Sequence, residues 1–122
     1  MRKIIVVLVG LLICNVGRAQ DFDTCRFMTY NVLNFDNTGN DKELYLREIV
    51  DSMRPDILVV QELIELSGAT RFFDSVVYVI DTNYAMGTFI NSFDTDNGIY
   101  YRKDKFGFIS NTVISTELRD IN

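Results

Sequence analysis

The stretch Arg54-Pro55-Asp56-Ile57-Leu58-Val59-Val60-Gln61-Glu62 constrains this chain more than any other. Its uninterrupted apolar run has strand length and follows a proline, the pattern of a strand buried on both faces of a sheet. Such strands need covering helices, and the sequence supplies candidates on either side. Upstream, Leu46, Ile49, Val50 and Met53 recur at i, i+3, i+4, i+7, which predicts an amphipathic helix over Lys42 to Met53. Asn40 or Asp41 can cap it, and Pro55 ends it by pushing the preceding residue out of helical geometry. Downstream, Phe73, Val76, Val77 and Ile80 repeat the same spacing, predicting a second helix from Ala69 to Thr82. A first strand reads from Arg26 to Leu33, followed by a polar loop from Asn34 to Asp41. Shorter strands are expected at Ala85 to Ile90, Gly98 to Arg102 and Phe106 to Ser110, with Val113 to Thr116 a candidate for one more. The order β-α-β-α-β-β-β predicts a layered α/β domain without linker or repeat. At 122 residues the chain holds at most one ordinary domain.

The first twenty residues stand apart. Met1-Arg2-Lys3 is basic, Ile4 to Cys14 is apolar, and Gly17 and Ala19 are small. This is the pattern of a secretory signal peptide over residues 1–19, cut after Ala19, with export to the periplasm or beyond the cell. The apolar run is too short to span a bilayer, which needs about 20 residues. A buried first strand would leave the basic start unexplained. Removing Arg2, Lys3 and Arg18 takes the formal net charge from −5 to −8. The mature chain would begin at Gln20, keep one cysteine, Cys25, and form no internal disulfide or four-cysteine zinc site. No stable membrane association is expected after cleavage, and no protein partner is predicted.

Composition removes several kinds of chemistry. There is no histidine, so this chain supplies no imidazole base, imidazole metal ligand or Ser-His-Asp triad. Its acidic balance gives no bulk attraction to nucleic acid or anionic lipid. There is no phosphate-binding P-loop and no Gly-rich dinucleotide fingerprint. Two polar residues remain conspicuous by position. Asn31 interrupts the first strand near its end, and Glu62 closes the apolar strand. The carboxyl ends of strands in α/β sheets are where side chains converge on ligands. A carboxylate there is costly beside apolar residues unless it is paired or meets a cation, and Mg²⁺ takes one or two carboxylates with water and substrate oxygens. A solvated Glu62 opening a loop, and an Asn31 bonded to backbone, would account for the same letters.

The words Thr29-Tyr30-Asn31-Val32-Leu33-Asn34-Phe35, a helix, then Arg54 to Gln61-Glu62, together resemble the opening of the endonuclease/exonuclease/phosphatase superfamily, the DNase-like fold. Asp96-Asn97-Gly98-Ile99-Tyr100-Tyr101-Arg102-Lys103-Asp104-Lys105-Phe106 looks like a later strand pair of that family. The Asn-Val-Leu-Asn-Phe wording is particularly similar to secreted bacterial nucleases within it. The resemblance implies that residues 20–122 are the amino-terminal half of a four-layer α/β-sandwich, a mixed sheet with outer helices. It implies hydrolysis of a phosphate ester, DNA or RNA first, with a lipid or sugar phosphate as the alternative substrate. It implies Mg²⁺, or Mn²⁺, held by Glu62, with Asn31 against the metal and the scissile phosphate. Family members also carry a later Asp-x-Asn pair, a further Asp and a His, none with a counterpart here. The 122-residue chain is therefore expected to be incomplete and weak or inactive, and a non-catalytic secreted α/β module is the reading from another class.

Three lesser features have plainer explanations. Asp94-Thr95-Asp96-Asn97-Gly98 has its glycine out of register for an EF-hand, and Asn97-Gly98 is expected to drive a hairpin turn. Arg102, Lys103 and Lys105 are expected at a solvated strand end. Phe72 and Phe73 are expected in the core.

Overall fold

The computed structural model describes residues 23–39, 41–92 and 94–113. The signal-peptide reading of residues 1–19, the cap at Asn40 and most of the strand expected at 113–116 lie outside them. The chain is mixed α/β: β1 (Phe27–Phe35), α1 (Lys42–Met53), β2 (Ile57–Leu63), α2 (Glu65–Phe72), a π-helical turn (Phe73–Val77), β3 (Tyr84–Met86) and β4 (Asp96–Arg102). The four strands form one mixed sheet in the order β1-β2-β4-β3. β1 and β2 are parallel, as their helical crossover requires, while β4 runs antiparallel to both β2 and β3.

The apolar run occupies the centre of this sheet as its sequence predicts, but the helices cover only one face. Leu58 and Val60 are fully buried with Leu46 and Val50 of α1, Ala69 and Phe72 of α2, and Val76 and Val77 of the π turn. Tyr84 and Tyr100 complete this core, and Phe72 meets Phe35 edge-on at 5.5 Å between ring centres. On the opposite face Ile57 and Val59 are only half-buried, Phe27 is exposed, and Phe108 stacks on Tyr101 at 6.2 Å.

Helix α1 has the predicted bounds. Asp41 sits at its N-cap position without a side-chain capping bond, so the expected cap is corrected. It ends at Arg54, whose left-handed backbone (φ 44°) lets its N–H reach the Val50 carbonyl just before Pro55. The second helix is displaced from its expected span. It starts at Glu65 because Ile64 donates its N–H to the Phe35 carbonyl at 2.8 Å and Gly68 lies close against that carbonyl. A Cβ at Gly68 would stand 2.7 Å from the Phe35 oxygen. It stops short of Thr82 because the chain widens into the π turn, with Tyr78 N–H bonding to the Phe73 carbonyl, and Asp81 is drawn to Asn83 and Arg102.

The later strands are fewer than expected. The strand over Ala85 to Ile90 is reduced to Tyr84–Met86, and residues 106–110 form no strand. Asn97-Gly98 is not a hairpin turn but lies inside β4, with no positive φ at the glycine. Its requirement there is close approach: a Cβ at Gly98 would meet Leu63 at 2.6 Å and the Tyr100 hydroxyl at 3.1 Å. Among the described residues no helix is long and apolar enough to cross a membrane.

Candidate functional site at the carboxyl end of the parallel strands

Asn31, at the last regular pair of β1 with β2, and Glu62, near the carboxyl end of β2, are 31 residues apart in sequence and are brought together. Asn31 Nδ2 donates to Glu62 Oε1 at 2.7 Å, and Asn31 Oδ1 accepts the N–H of Leu33 at 2.8 Å. The two bonds fix the amide so that its donor end faces the carboxylate. Gln61 lies alongside, its Nε2 3.3 Å from the Thr29 hydroxyl.

The backbone explains how Glu62 reaches Asn31. In a regular strand Gln61 and Glu62 would point to opposite faces. Here the β1–β2 register shifts between Asn31 and Phe35, and the β2–β4 register shifts between Val60 and Leu63. Glu62 has φ 61°, so the strand kinks at the residue that must turn its side chain, and Leu63 still enters the core. Leu33 and Asn34 also have φ 53°, and Glu65 has φ 57°. Of the five left-handed non-glycine residues among the described residues, four thus lie at this end of the sheet, the fifth being the helix cap at Arg54. Such conformations cost about 1–3 kcal/mol each for ordinary residues and are retained where surrounding structure enforces them. Here that structure is α2, pinned to Phe35 through Ile64 and Gly68.

The loop after β1 is also braced. Asp36 accepts from the Thr38 N–H at 2.8 Å and the Thr38 hydroxyl at 2.6 Å. The hydroxyl bond first, then the N–H bond, holds the Asp36 carboxyl below the usual carboxylate range. On the helix-facing side of the same sheet end, buried Asp96 accepts the Ser92 N–H at 2.9 Å, and its second oxygen is without a partner among the described residues.

Sequence reasoning located Asn31 and Glu62 but missed the kinks that join them, because no glycine marks these positions. It also missed Asp96, which it assigned to a turn. The basic cluster is taken up structurally at the opposite end of the sheet. Arg102 pairs with Asp81 at 3.0 Å and Asp104 at 2.8 Å, and Lys105 pairs with Asp56 at 3.0 Å. Phe72 is buried and Phe73 packs against the core, as expected.

The donor chemistry fits a hard cation. Glu62 is half-buried, and Asn31 engages only one of its two carboxylate oxygens. Mg²⁺ is commonly bound through one or two carboxylates, with waters and substrate oxygens filling the other positions. Among the described residues no group of three or more His, Cys, Asp or Glu side chains is placed to hold a metal ion. Comparison with protein-family models, with curated proteins and with solved structures gives no match.

Proposed function

We propose that the kinked carboxyl end of this sheet is the cation-holding part of an exported, Mg²⁺-dependent phosphodiesterase of the endonuclease/exonuclease/phosphatase kind. The observation that supports it most is the 2.7 Å bond between Asn31 and Glu62, made by two residues that each stand at a register shift of neighbouring strands. A solvated loop glutamate needs no such backbone distortion.

In this reading Glu62 holds Mg²⁺, or Mn²⁺, through the carboxylate oxygen that Asn31 does not engage. Asn31 positions that carboxylate and turns an N–H donor toward an incoming phosphate. An amide binds a cation through its oxygen, and Asn31 Oδ1 is occupied by the Leu33 N–H. In this reading Asn31 is therefore a positioning and phosphate-facing residue more than a ligand. The bound cation would polarise a phosphoryl oxygen and offset charge on the leaving oxygen. No histidine is present to activate water, and weak or absent turnover by these 122 residues follows. DNA or RNA is the proposed substrate class. The half-exposed sheet face around Phe27, Ile57 and Val59 is where a second sheet would pack in a four-layer α/β-sandwich.

Calorimetric titration of the chain with MgCl₂ and MnCl₂ tests this reading. One saturable site is expected, weakened at least about tenfold in Glu62→Gln, since a ligating carboxylate is lost. Binding unchanged in Glu62→Gln, or no binding by the unaltered chain, would overturn it in favour of a non-catalytic module.

A further inference from the structure

The strand order leaves two edges to the sheet, and they differ. β3 is three residues long, and so short an edge offers little to a neighbour. β1 runs from Phe27 to Phe35 without a charged residue or a proline, the devices that usually blunt a free edge. Among the described residues no segment pairs with its outer side. Arg26 directs both its N–H, to the Asp56 carboxylate, and its carbonyl, to the Asp56 and Ile57 N–H groups, at the β2 side. Alternation along the strand then turns Met28 and Tyr30 to β2, and the backbone groups of Phe27, Thr29 and Asn31 to the free edge. The next residue of that series, Leu33, is already met, its N–H by Asn31 Oδ1 and its carbonyl by Lys42 Nζ, each at 2.8 Å. Above the open stretch lies one flank of α1. The other flank, with Glu43 and Arg47, bonds to Arg71 and to the Ser75 carbonyl. Tyr45 and Ile49 instead line a groove against Tyr30 and Leu33, and Tyr45 is 68 % exposed.

We propose that this edge pairs with the same edge of a second copy of the chain, antiparallel about a two-fold axis at Thr29. Symmetry selects that occupant. A two-fold interface needs a self-complementary patch, and the outward groups of Phe27, Thr29 and Asn31 are spaced evenly about Thr29. Thr29 then faces Thr29 of the second copy and Phe27 faces its Asn31, each pair exchanging both N–H···O bonds. On the helix-facing side Met28 comes opposite Tyr30 of the second copy, and the exposed Tyr45 flank of α1 lies beside them. Charge points the same way. Each copy carries a net charge of −5, yet the paired residues carry none, so two acidic chains meet here without like charges opposed. The regular stretch is about 20 Å long, which puts the contact at the low end of interface sizes, below about 1,200 Å². A reversible dimer of high-micromolar affinity follows. The joined sheet ends in β3 on both sides, so the assembly closes at two.

The test is sedimentation of the full chain from micromolar to millimolar concentration, with amide exchange followed by NMR over the same range. A monomer–dimer equilibrium is expected. The Phe27, Thr29 and Asn31 amides should gain protection as concentration rises, while those of Met28 and Tyr30 are protected throughout. Thr29→Lys, at an exposed position, should weaken the dimer at least about threefold, the scale of like charges set directly opposite each other. Thr29→Glu should do the same, and an equimolar mixture of the two should restore association, since only this register sets residue 29 against itself. Thr29→Pro removes an outward N–H and spares the ladder to β2, so it should weaken the dimer at least about fivefold with the circular dichroism unchanged. A chain that stays monomeric at millimolar concentration would overturn the proposal. Protection of the three outward amides that is independent of concentration would assign the edge to another segment of the same chain and overturn it too. So would dimers indifferent to both Thr29→Lys and Thr29→Pro, or assemblies that grow beyond two copies.

Discussion

The two ends of the sheet are built on opposite principles. At the amino end of β2, buried Asp56 accepts the Arg26 N–H at 2.8 Å and pairs with Lys105, while its backbone bonds to Arg26 and Arg102. The Tyr84 hydroxyl donates to the Pro55 carbonyl, and Arg102 is clamped between Asp81 and Asp104. At the carboxyl end the strands lose register, four residues take left-handed backbone, and Asn31 and Glu62 meet near solvent. One end satisfies its polar groups and stabilises the fold. The other retains local strain, of a kind that clusters at functional sites in proteins generally.

That contrast can be broken at either end. The largest effect is expected from Asp56→Ala, which removes two charge-assisted or buried hydrogen bonds and should cost about 2–3 kcal/mol in urea unfolding. Mg²⁺ affinity at Glu62 should stay within about twofold, since the lesion lies at the far end of β2. Gly68→Ala should cost about 1–3 kcal/mol, because its Cβ meets the Phe35 backbone oxygen at 2.7 Å and that contact has little room to give. Unlike Asp56→Ala, it should also move the Asn31 and Glu62 NMR signals, because α2 braces the kink. Glu62→Gly should act in the other direction. Glycine adopts φ 61° without strain, so about 1 kcal/mol of stability should be gained, while cation binding is lost.

The smallest effect is in the acid limb of stability. The Arg26 N–H above all, and also Lys105, hold the Asp56 carboxyl below its ordinary 3.8 against the opposing effect of burial. A depressed folded pKa stabilises the fold at pH above the unfolded value, and this contribution is lost as pH falls through the folded value. Unfolding free energy should therefore hold above about pH 5 and decline below 3.8, with a shallower decline in Asp56→Asn.

The same contrast explains what the sequence made legible. The apolar run at Ile57 to Val60 and the spacing of Leu46, Val50 and Met53 each encode one periodicity, and β2 and α1 lie where those periods point. Asn31 and Glu62 were legible as polar interruptions at strand ends. Their bond was not, because it depends on left-handed backbone at Leu33 and Glu62, residues whose side chains give no local signal for it. The second helix was misplaced for a related reason. Its start depends on Gly68 approaching Phe35, a contact distant in sequence, and its end on a π turn whose apolar spacing mimics an α-helix. Asn97-Gly98 reads as a turn in isolation, yet Gly98 is required by Leu63 and Tyr100 across the sheet.

The central claim is that the strained end of the sheet is strained in order to hold a divalent cation at Glu62. Paramagnetic broadening by substoichiometric Mn²⁺ in the amide spectrum tests it most directly. Broadening centred on Asn31, Leu33 and Glu62, reversed by excess Mg²⁺ and abolished in Glu62→Gln, is the predicted result. Broadening that is centred elsewhere, or that persists undiminished in Glu62→Gln, would contradict it.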